Sequence, residues 1–419
     1  MARGDRIRAE VGPAVAMRLI VSRDFGPYFV GNALSASGGW FQNLAAAILV
    51  YRQTHSPFLL GVLSVAQFAP VLLFAPWSGV VADRFDRRRV ILVTQLFAAA
   101  SSATLAVLAW AGLAEAWIVI LFGFALGVAT AFSTPASGAL LGQLVGTQQL
   151  GSAVALNSMT FNLARAIGPA LAGLTVATLG IPASFAINSA SYLALMLGVV
   201  VVRPRPQQRM PREETRLREA LRFVRHQPTL IGLLLIVTAV GFASDPINTE
   251  APAFAHAFGE PDTRAGLIIG VFGAGAVAAA FALAGRVTGS RSRMIATLAL
   301  LAAGIAGFSV SPWLPLAYAF LVAAGVGYLG SNTSATSRLQ LGVSESQRGR
   351  IMALWGVAFL GLRPLGSIVD GALAGAFGVR VAGVCMVLPV LAGAVLLLGM
   401  RGRDRVRAGR PAPVAPPES

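Results

Sequence analysis

Five ionisable side chains stand inside long apolar stretches of this chain: Arg165, Asp245, Glu250, Arg363 and Asp370. A charge surrounded by hydrocarbon is costly unless it faces a partner or a watery cavity, so such residues mark pathways. A carboxylate withdrawn from water is suited to binding and releasing a proton. Asp245 is the first candidate for that chemistry, about 24 Å along its helix counted from Thr229, with Pro246 freeing nearby backbone groups. Asp370 is the second, and Glu250 also lies near the far surface. The plainer alternative for Asp245 is an ion pair with an inward arginine. Arg165 and Arg363 sit at matched depth, 12 residues past Ala153 and Ile351, or roughly 18 Å into hydrocarbon. Such a pair either raises the positive potential of a central pathway, favouring an anionic or hydrogen-bond-accepting substrate, or pins a neighbouring helix through its carbonyls.

Other chemistries are excluded by what the sequence lacks. All 33 basic residues are arginine. Without lysine there is no Walker-type phosphate loop and no Schiff base. Cys385 is the single cysteine, which removes intrachain disulfides and cysteine metal clusters. His55, His226 and His256 are far apart with no ligand spacing, and each reads as an ordinary loop histidine. No enzyme chemistry, metal or cofactor is expected. The energy source for such a chain is a proton gradient.

The elements that must position these residues follow from composition. Of 419 residues, 56% are apolar and 12% charged, against about 25% charge in a soluble domain. The net charge of +16 does not gather on a polar face, so nucleic acid is not a partner. Twelve apolar spans are expected: Gly26 to Tyr51, Phe58 to Val81, Val90 to Ala111, Trp117 to Leu141, Gly151 to Leu179, Ala183 to Val202, Thr229 to Ala251, Ala265 to Arg286, Met294 to Ser311, Leu314 to Ser337, Ile351 to Phe377 and Val381 to Met400. The seventh is interrupted by Asp245-Pro246. Basic residues accumulate in cytoplasmic segments. With both termini inside, 28 arginines fall on that side, and the outer loops hold Arg52, Arg264 and Arg380. The expectation is a multi-pass protein of the plasma (inner) membrane with both termini cytoplasmic.

The chain divides into a tail over 1–25, a six-helix half over 26–202, a linker over 203–228, a second six-helix half over 229–400, and a tail over 401–419. In the linker, Leu217, Leu221 and Val224 mark one face of an amphipathic helix lying on the inner surface, or of a plain solvated one. The halves are related by a shift of 198 residues, which carries Arg165, Gly168 and Gly173 onto Arg363, Gly366 and Gly371. Two six-helix halves with a site near the midplane make a transporter architecture.

Between the second and third spans, Gly79 to Arg89 reads Gly-Val-Val-Ala-Asp-Arg-Phe-Asp-Arg-Arg-Arg. It resembles the loop signature of the major facilitator superfamily, Gly-x-x-x-Asp-Arg-x-x-Arg-Arg. The first half is most similar to the drug and siderophore exporter branch, which includes enterobactin exporters and macrolide efflux proteins. Ser56-Pro57-Phe58-Leu59-Leu60-Gly61 and Ala166-Ile167-Gly168-Pro169-Ala170-Leu171-Ala172-Gly173 support that likeness. The resemblance implies a conformational latch in which Gly79 lets span two approach span eleven and Asp83 faces the positive N-terminus of that helix. Ser344 and Gln347 have capping-box spacing there. Arg84, Arg87 and Arg88 would pair with acidic groups or lipid phosphates. The copy at Gly285 to Arg293 has no carboxylate, so a matching latch in the second half is weaker.

Gly168, Pro169 and Gly173 resemble the glycine-proline signature of antiporters, packing and bending span five to seal one side of the pathway. In this superfamily spans one, four, seven and ten line the cavity. On them Asn32, Gln42, Asn43, Ser133, Thr134, Asn332 and Thr333 are the polar candidates, with Trp40 and Phe41 the apolar ones. Such a mixture suits bulky amphiphilic molecules. The resemblance implies an all-α integral membrane fold of twelve transmembrane helices in two pseudo-symmetric halves, and proton-coupled export of a drug, secondary metabolite or siderophore. An importer of a polar metabolite and a non-transporting sensor are the rivals. The partners expected are a small-molecule substrate and the bilayer. A monomer satisfies the sequence, which leaves the oligomeric state open.

Overall fold

A computed structural model describes residues 13–145, 149–204, 222–225, 227–282 and 291–408, all of them helix or connecting turn with no strand. Among the described residues ten helices are long and apolar enough to cross a membrane, and an eleventh is counted if Pro57–Leu73 and Ala75–Arg84 form one span bent by 54°. Leu150–Leu179, 30 residues long but carrying Asn157, Ser158 and Arg165, supplies the fifth in sequence order. In order the first six spans are Gly26–Thr54, the bent pair, Arg87–Trp110, Ala116–Leu144, Leu150–Leu179 and Ile181–Val201. The second six are Pro228–Thr249 with Ala251–Ala257, Asp262–Ala282, Arg291–Val310, Leu314–Leu341, Glu345–Phe377 and Val379–Ala408.

Proline and small polar caps set the starts. Ser56 accepts the Leu59 amide proton at the head of span two, and Asp86 accepts that of Arg89 at 3.0 Å at the head of span three, each satisfying an amide the helix leaves over. Leu96, Phe97, Val107 and Leu197 are exposed on the outside of the bundle, as a surface solvated by lipid requires.

Several expected spans are not single straight helices. Span two breaks at Phe74 instead of running through to Val81: Pro70 inside the first segment and Pro76 at the start of the second each remove an amide donor. In span seven the helix continues through Asp245-Pro246 and breaks at Glu250, where Pro252 opens the next segment. Span eleven carries a π turn at Val357–Gly361, and span twelve is divided between Cys385 and Leu388 before running on to Ala408. A short helix at Pro13–Val21 lies within the expected N-terminal tail. Most of the linker helix, and Gly285 to Ser290 of the repeat copy, lie outside the described residues.

Within the first six spans, one packs on five and six, three on four and six, and two on four. Within the last six, ten packs on seven, eight and nine, and twelve on seven and nine. Two extensive seams join the halves, span five against eight and span eleven against two. The 198-residue shift exchanges five with eleven, so these seams are pseudo-symmetric copies. Both are built on glycine. A Cβ on Gly266 would lie 2.8 Å from the Gly173 Cα, and one on Gly371 would lie 3.1 Å from the Gly61 Cα. The same shift relates Gly173 to Gly371, and it relates the two carbonyls that crowd the partner glycines, Pro169 to Ser367. Backbones this close are possible only where no side chain intervenes.

Candidate functional site

These seams lie toward the end of the bundle where span one finishes. There Arg52 holds Asp262 through two hydrogen bonds, Nε to Oδ2 at 2.5 Å and Nη2 to Oδ1 at 2.8 Å, linking span one to the start of span eight. Deeper in, the Ser64 and Ser367 hydroxyls pair at 2.8 Å across the second seam. The Arg52 end is closed by these contacts. At the opposite end the segment Ala75–Arg84 packs on spans three and four of its own half.

Behind the closed end is a narrow cleft lined from both halves by Trp40, Asn43 and Ala47 of span one, Leu60, Ser64, Gln67 and Phe68 of span two, Asn248, Thr249 and Pro252 of span seven, Ile269 of span eight and Arg363 of span eleven. Arg363 donates from Nε to Asp245 Oδ1 at 3.1 Å, and its guanidinium carbon stands 4.4 Å from the centre of the Phe68 ring on the opposite half. Gly366 makes room for the acid, since a Cβ there would meet Asp245 Oδ2 at 2.6 Å. Arg165 shows the same design one seam away: it donates to the Tyr328 hydroxyl at 2.6 Å and lies 4.6 Å from the centre of that ring, again across the halves. Neither arginine is pinned to helix carbonyls. Both reach over an aromatic face, an arrangement that holds a cation in a desolvated place.

The expected cavity residues separate into two groups. Trp40 and Asn43 face the cleft. Phe41 instead packs on the hydrophobic core. Gln42 is 4% exposed and accepts from Ser102 Oγ at 3.1 Å and Asn188 Nδ2 at 3.3 Å, which locks it into the first half. Asn32 donates to Asn157 at 2.5 Å. Ser133 and Thr134 both bond back to the Thr130 carbonyl, and Asn332 accepts from Thr336 of its own helix. None of these five polar residues, nor Thr333, lines the cleft. Gln67 and Phe68 lie in the segment before the break of span two, and Asn248 and Thr249 in the last turn before the break of span seven; no motif marks them in the sequence. A glutamine in an otherwise apolar span two was the available signal.

The Gly79 to Arg89 turn also differs from expectation. A Cβ on Gly79 would meet nothing within 4 Å, so in this conformation span two makes no close approach there. Asp83 and Arg84 are exposed. Arg87 donates to the Ala139 carbonyl at 3.3 Å and Arg88 to that of Val200, both carbonyls of their own half. Val200 lies in the last turn of span six, where carbonyls have no helical partner.

Twelve spans in two glycine-seamed halves around a mid-depth cleft define a membrane transporter of the major facilitator type. A solved bacterial homologue of the human lysosomal transporter Spinster shares the fold, with a TM-score of 0.69 at 17% identity over 93% of this chain and 99% of that one. The chain belongs to the transmembrane secretion effector family, whose profile matches residues 20–409. It is similar to macrolide efflux protein A of Streptococcus pyogenes, 24% identical over 85% of this chain and 90% of the relative. It is also similar to the enterobactin exporter EntS of Escherichia coli, 25% identical over 87% of this chain and 91% of the relative. The family and fold are those of multi-pass membrane transporters, with efflux proteins among the relatives.

Proposed function

We propose that the protein exports a bulky amphiphilic small molecule in exchange for protons, by rocking of its two halves, with both termini and the Asp83 end in the cytoplasm. The carrying observation is the lining of the cleft. Trp40, Phe68, Leu60 and Ile269 offer aromatic and aliphatic surface, Asn43, Gln67 and Asn248 offer amides, and the one charged side chain, Arg363, is paired with Asp245. Such a lining suits a large, mostly apolar molecule with a few polar groups and rejects small ions. Relatives named for macrolide efflux and enterobactin export support the outward direction, and the bias of arginine toward one side supports the orientation. Asp245 is the coupling carboxylate on the cleft side: protonating it releases Arg363 and changes how the halves meet at Phe68. In everted vesicles, Asp245→Asn is expected to abolish proton-driven uptake of an ethidium or macrolide probe while expression is kept. Uptake at the wild-type rate would refute the assignment.

The cytoplasmic latch belongs to the same reading. Asp83→Asn removes the one carboxylate that engages span eleven when the cytoplasmic end closes. Transport is expected to fall about tenfold or more, a loss of at least about 1.4 kcal/mol in the closed state, with membrane insertion unchanged. Full activity in Asp83→Asn would leave the turn with a topological role only.

A further inference from the structure

Two histidines meet at the closed end. His55 follows the last turn of span one, and His256 stands in the last turn of Ala251–Ala257, the second segment of span seven. The sequence separates them by 201 residues and places them in opposite halves. Their imidazole rings are nevertheless 6.3 Å apart and inclined at 72°. The Tyr51 ring lies 5.9 Å from the first and 6.1 Å from the second. Tyr51 is buried and both histidines are exposed, so the phenol ring backs the pair from the protein side and the imidazoles stand at the rim of the mouth. The backbone at His55 is unusual as well. Its φ of 48° and ψ of 26° lie in the left-handed region, and it is the one residue other than glycine with positive φ among the described residues. Helices commonly end in this conformation, which glycine takes without strain. The turn alone would favour glycine, yet an imidazole is carried there.

The ring separation matches a shared ion. A transition metal lies about 2.0–2.1 Å from an imidazole nitrogen, hence about 3.2 Å from the ring centre. Two rings on one ion have centres about 5.2 Å apart at the tetrahedral angle and about 6.4 Å apart when directly opposed. The observed 6.3 Å falls within those limits, so both exposed rings reach one ion by turning about their own side-chain bonds. The neighbouring charges are engaged elsewhere: Arg52 with Asp262, Arg264 with Glu260, and Arg380 with the Ser309, Ser311 and Ala257 carbonyls. Glu250 and Asp370 are 0% exposed and offer no oxygen at this surface. Among the described residues no three histidine, cysteine or carboxylate side chains are grouped for a metal, so the protein supplies two ligands here and water the rest.

We infer that His55 and His256 bind a divalent transition-metal ion of the zinc or copper type, which clamps span one to span seven across the two halves. Imidazole nitrogen selects these ions over magnesium and calcium, which take oxygen ligands. An ion that needs both rings binds only while the mouth is closed, and by mass action it then holds the mouth closed. The binding is independent of the export reading above; only the placing of this mouth outside the cell rests on it.

The test uses the full-length protein purified through a tag free of histidine. With copper(II), pulsed electron paramagnetic resonance counts the imidazoles on each ion. Two are expected in the wild type, and one or none in His55→Gly or His256→Ala. Each variant is also expected to weaken zinc binding, read by titration calorimetry, at least about tenfold, the lower end of what loss of even an outer-shell partner costs. Glycine at position 55 suits the left-handed turn, so that variant keeps the fold. His226→Ala is expected to change neither reading. One imidazole per ion in the wild type, or a signal lost only in His226→Ala, is an adventitious ion only and overturns the site. At ten times its dissociation constant, zinc is expected to raise the ratio of closed to open mouths about tenfold. Spin labels at Gln53 and Glu260 read that ratio, and the double variant His55→Gly/His256→Ala is expected to show no change. Distances indifferent to zinc in the wild type overturn the clamp. Neither reading uses flux, so a protein that fails to export leaves this site standing, and one that exports without binding copper or zinc refutes the site alone.

Discussion

Arg363→Met is expected to destabilise the protein by about 3–5 kcal/mol, the cost of leaving one member of a buried ion pair without the other. Asp245 is 0% exposed, its Oδ2 has no hydrogen-bond partner among the described residues, and its Oδ1 is held by Arg363 at 3.1 Å. Methionine keeps much of the length and the contact with Phe68 but supplies no donor. The double variant Asp245→Asn/Arg363→Met removes both charges and is expected to recover most of the loss, as removing a whole buried pair usually does. Thermal unfolding of the detergent-solubilised protein, followed by gel filtration, measures both. If the single and double variants melt together, the pair is not a stabilising unit.

The glycine seams give the second large effect. Gly371→Leu and Gly173→Leu are expected to keep the closed end from closing, because backbone carbonyl and Cα atoms of spans two and eight occupy the space their side chains need. Forcing a larger side chain into a packed contact costs about 1–3 kcal/mol, which shifts the balance between open and closed states by roughly 5- to 150-fold. Spin labels at Gln53 and Glu260 would show a longer distance in the variants, and transport would stop with the fold intact. Unchanged distances would mean that the seam does not govern closure. Gly356→Leu, at a position with nothing within 4 Å, is the control.

Much of this was legible from composition and arithmetic. Arginine placement and the 198-residue shift pointed to two related halves, and Arg165-Gly168 with Arg363-Gly366 stood out because the same two residue types recur at the same spacing. What the shift does not carry is rotation about a helix axis. Gln42 and Asn43 are neighbours in sequence and about 100° apart around the helix, so one is buried among Ser102 and Asn188 while the other faces the cleft. Spans four and ten supply no side chain to this cleft: Ser133 and Thr134 donate to the Thr130 carbonyl, and Asn332 accepts from Thr336, all within their own helices. His55 and His256 were unreadable as a pair, because their meeting depends on how span one lies against the joint of span seven.

The breaks in spans two and eleven bear on mechanical work. They sit opposite each other, with Leu72 beside Gly361, and each divides its helix into a segment held in the seam and a segment packed within its own half, Ala75–Arg84 against spans three and four. Ala75–Arg84 is then a lever about 15 Å long at 1.5 Å rise per residue, pivoting at Phe74. A change of about 10° at that pivot carries the tip, and Asp83 with it, by about 2.6 Å on that length. On the alternating-access reading proposed above, the stroke at the Asp83 end needs no slippage between the glycine backbones, and the same fulcrum serves whichever molecule lies in the cleft.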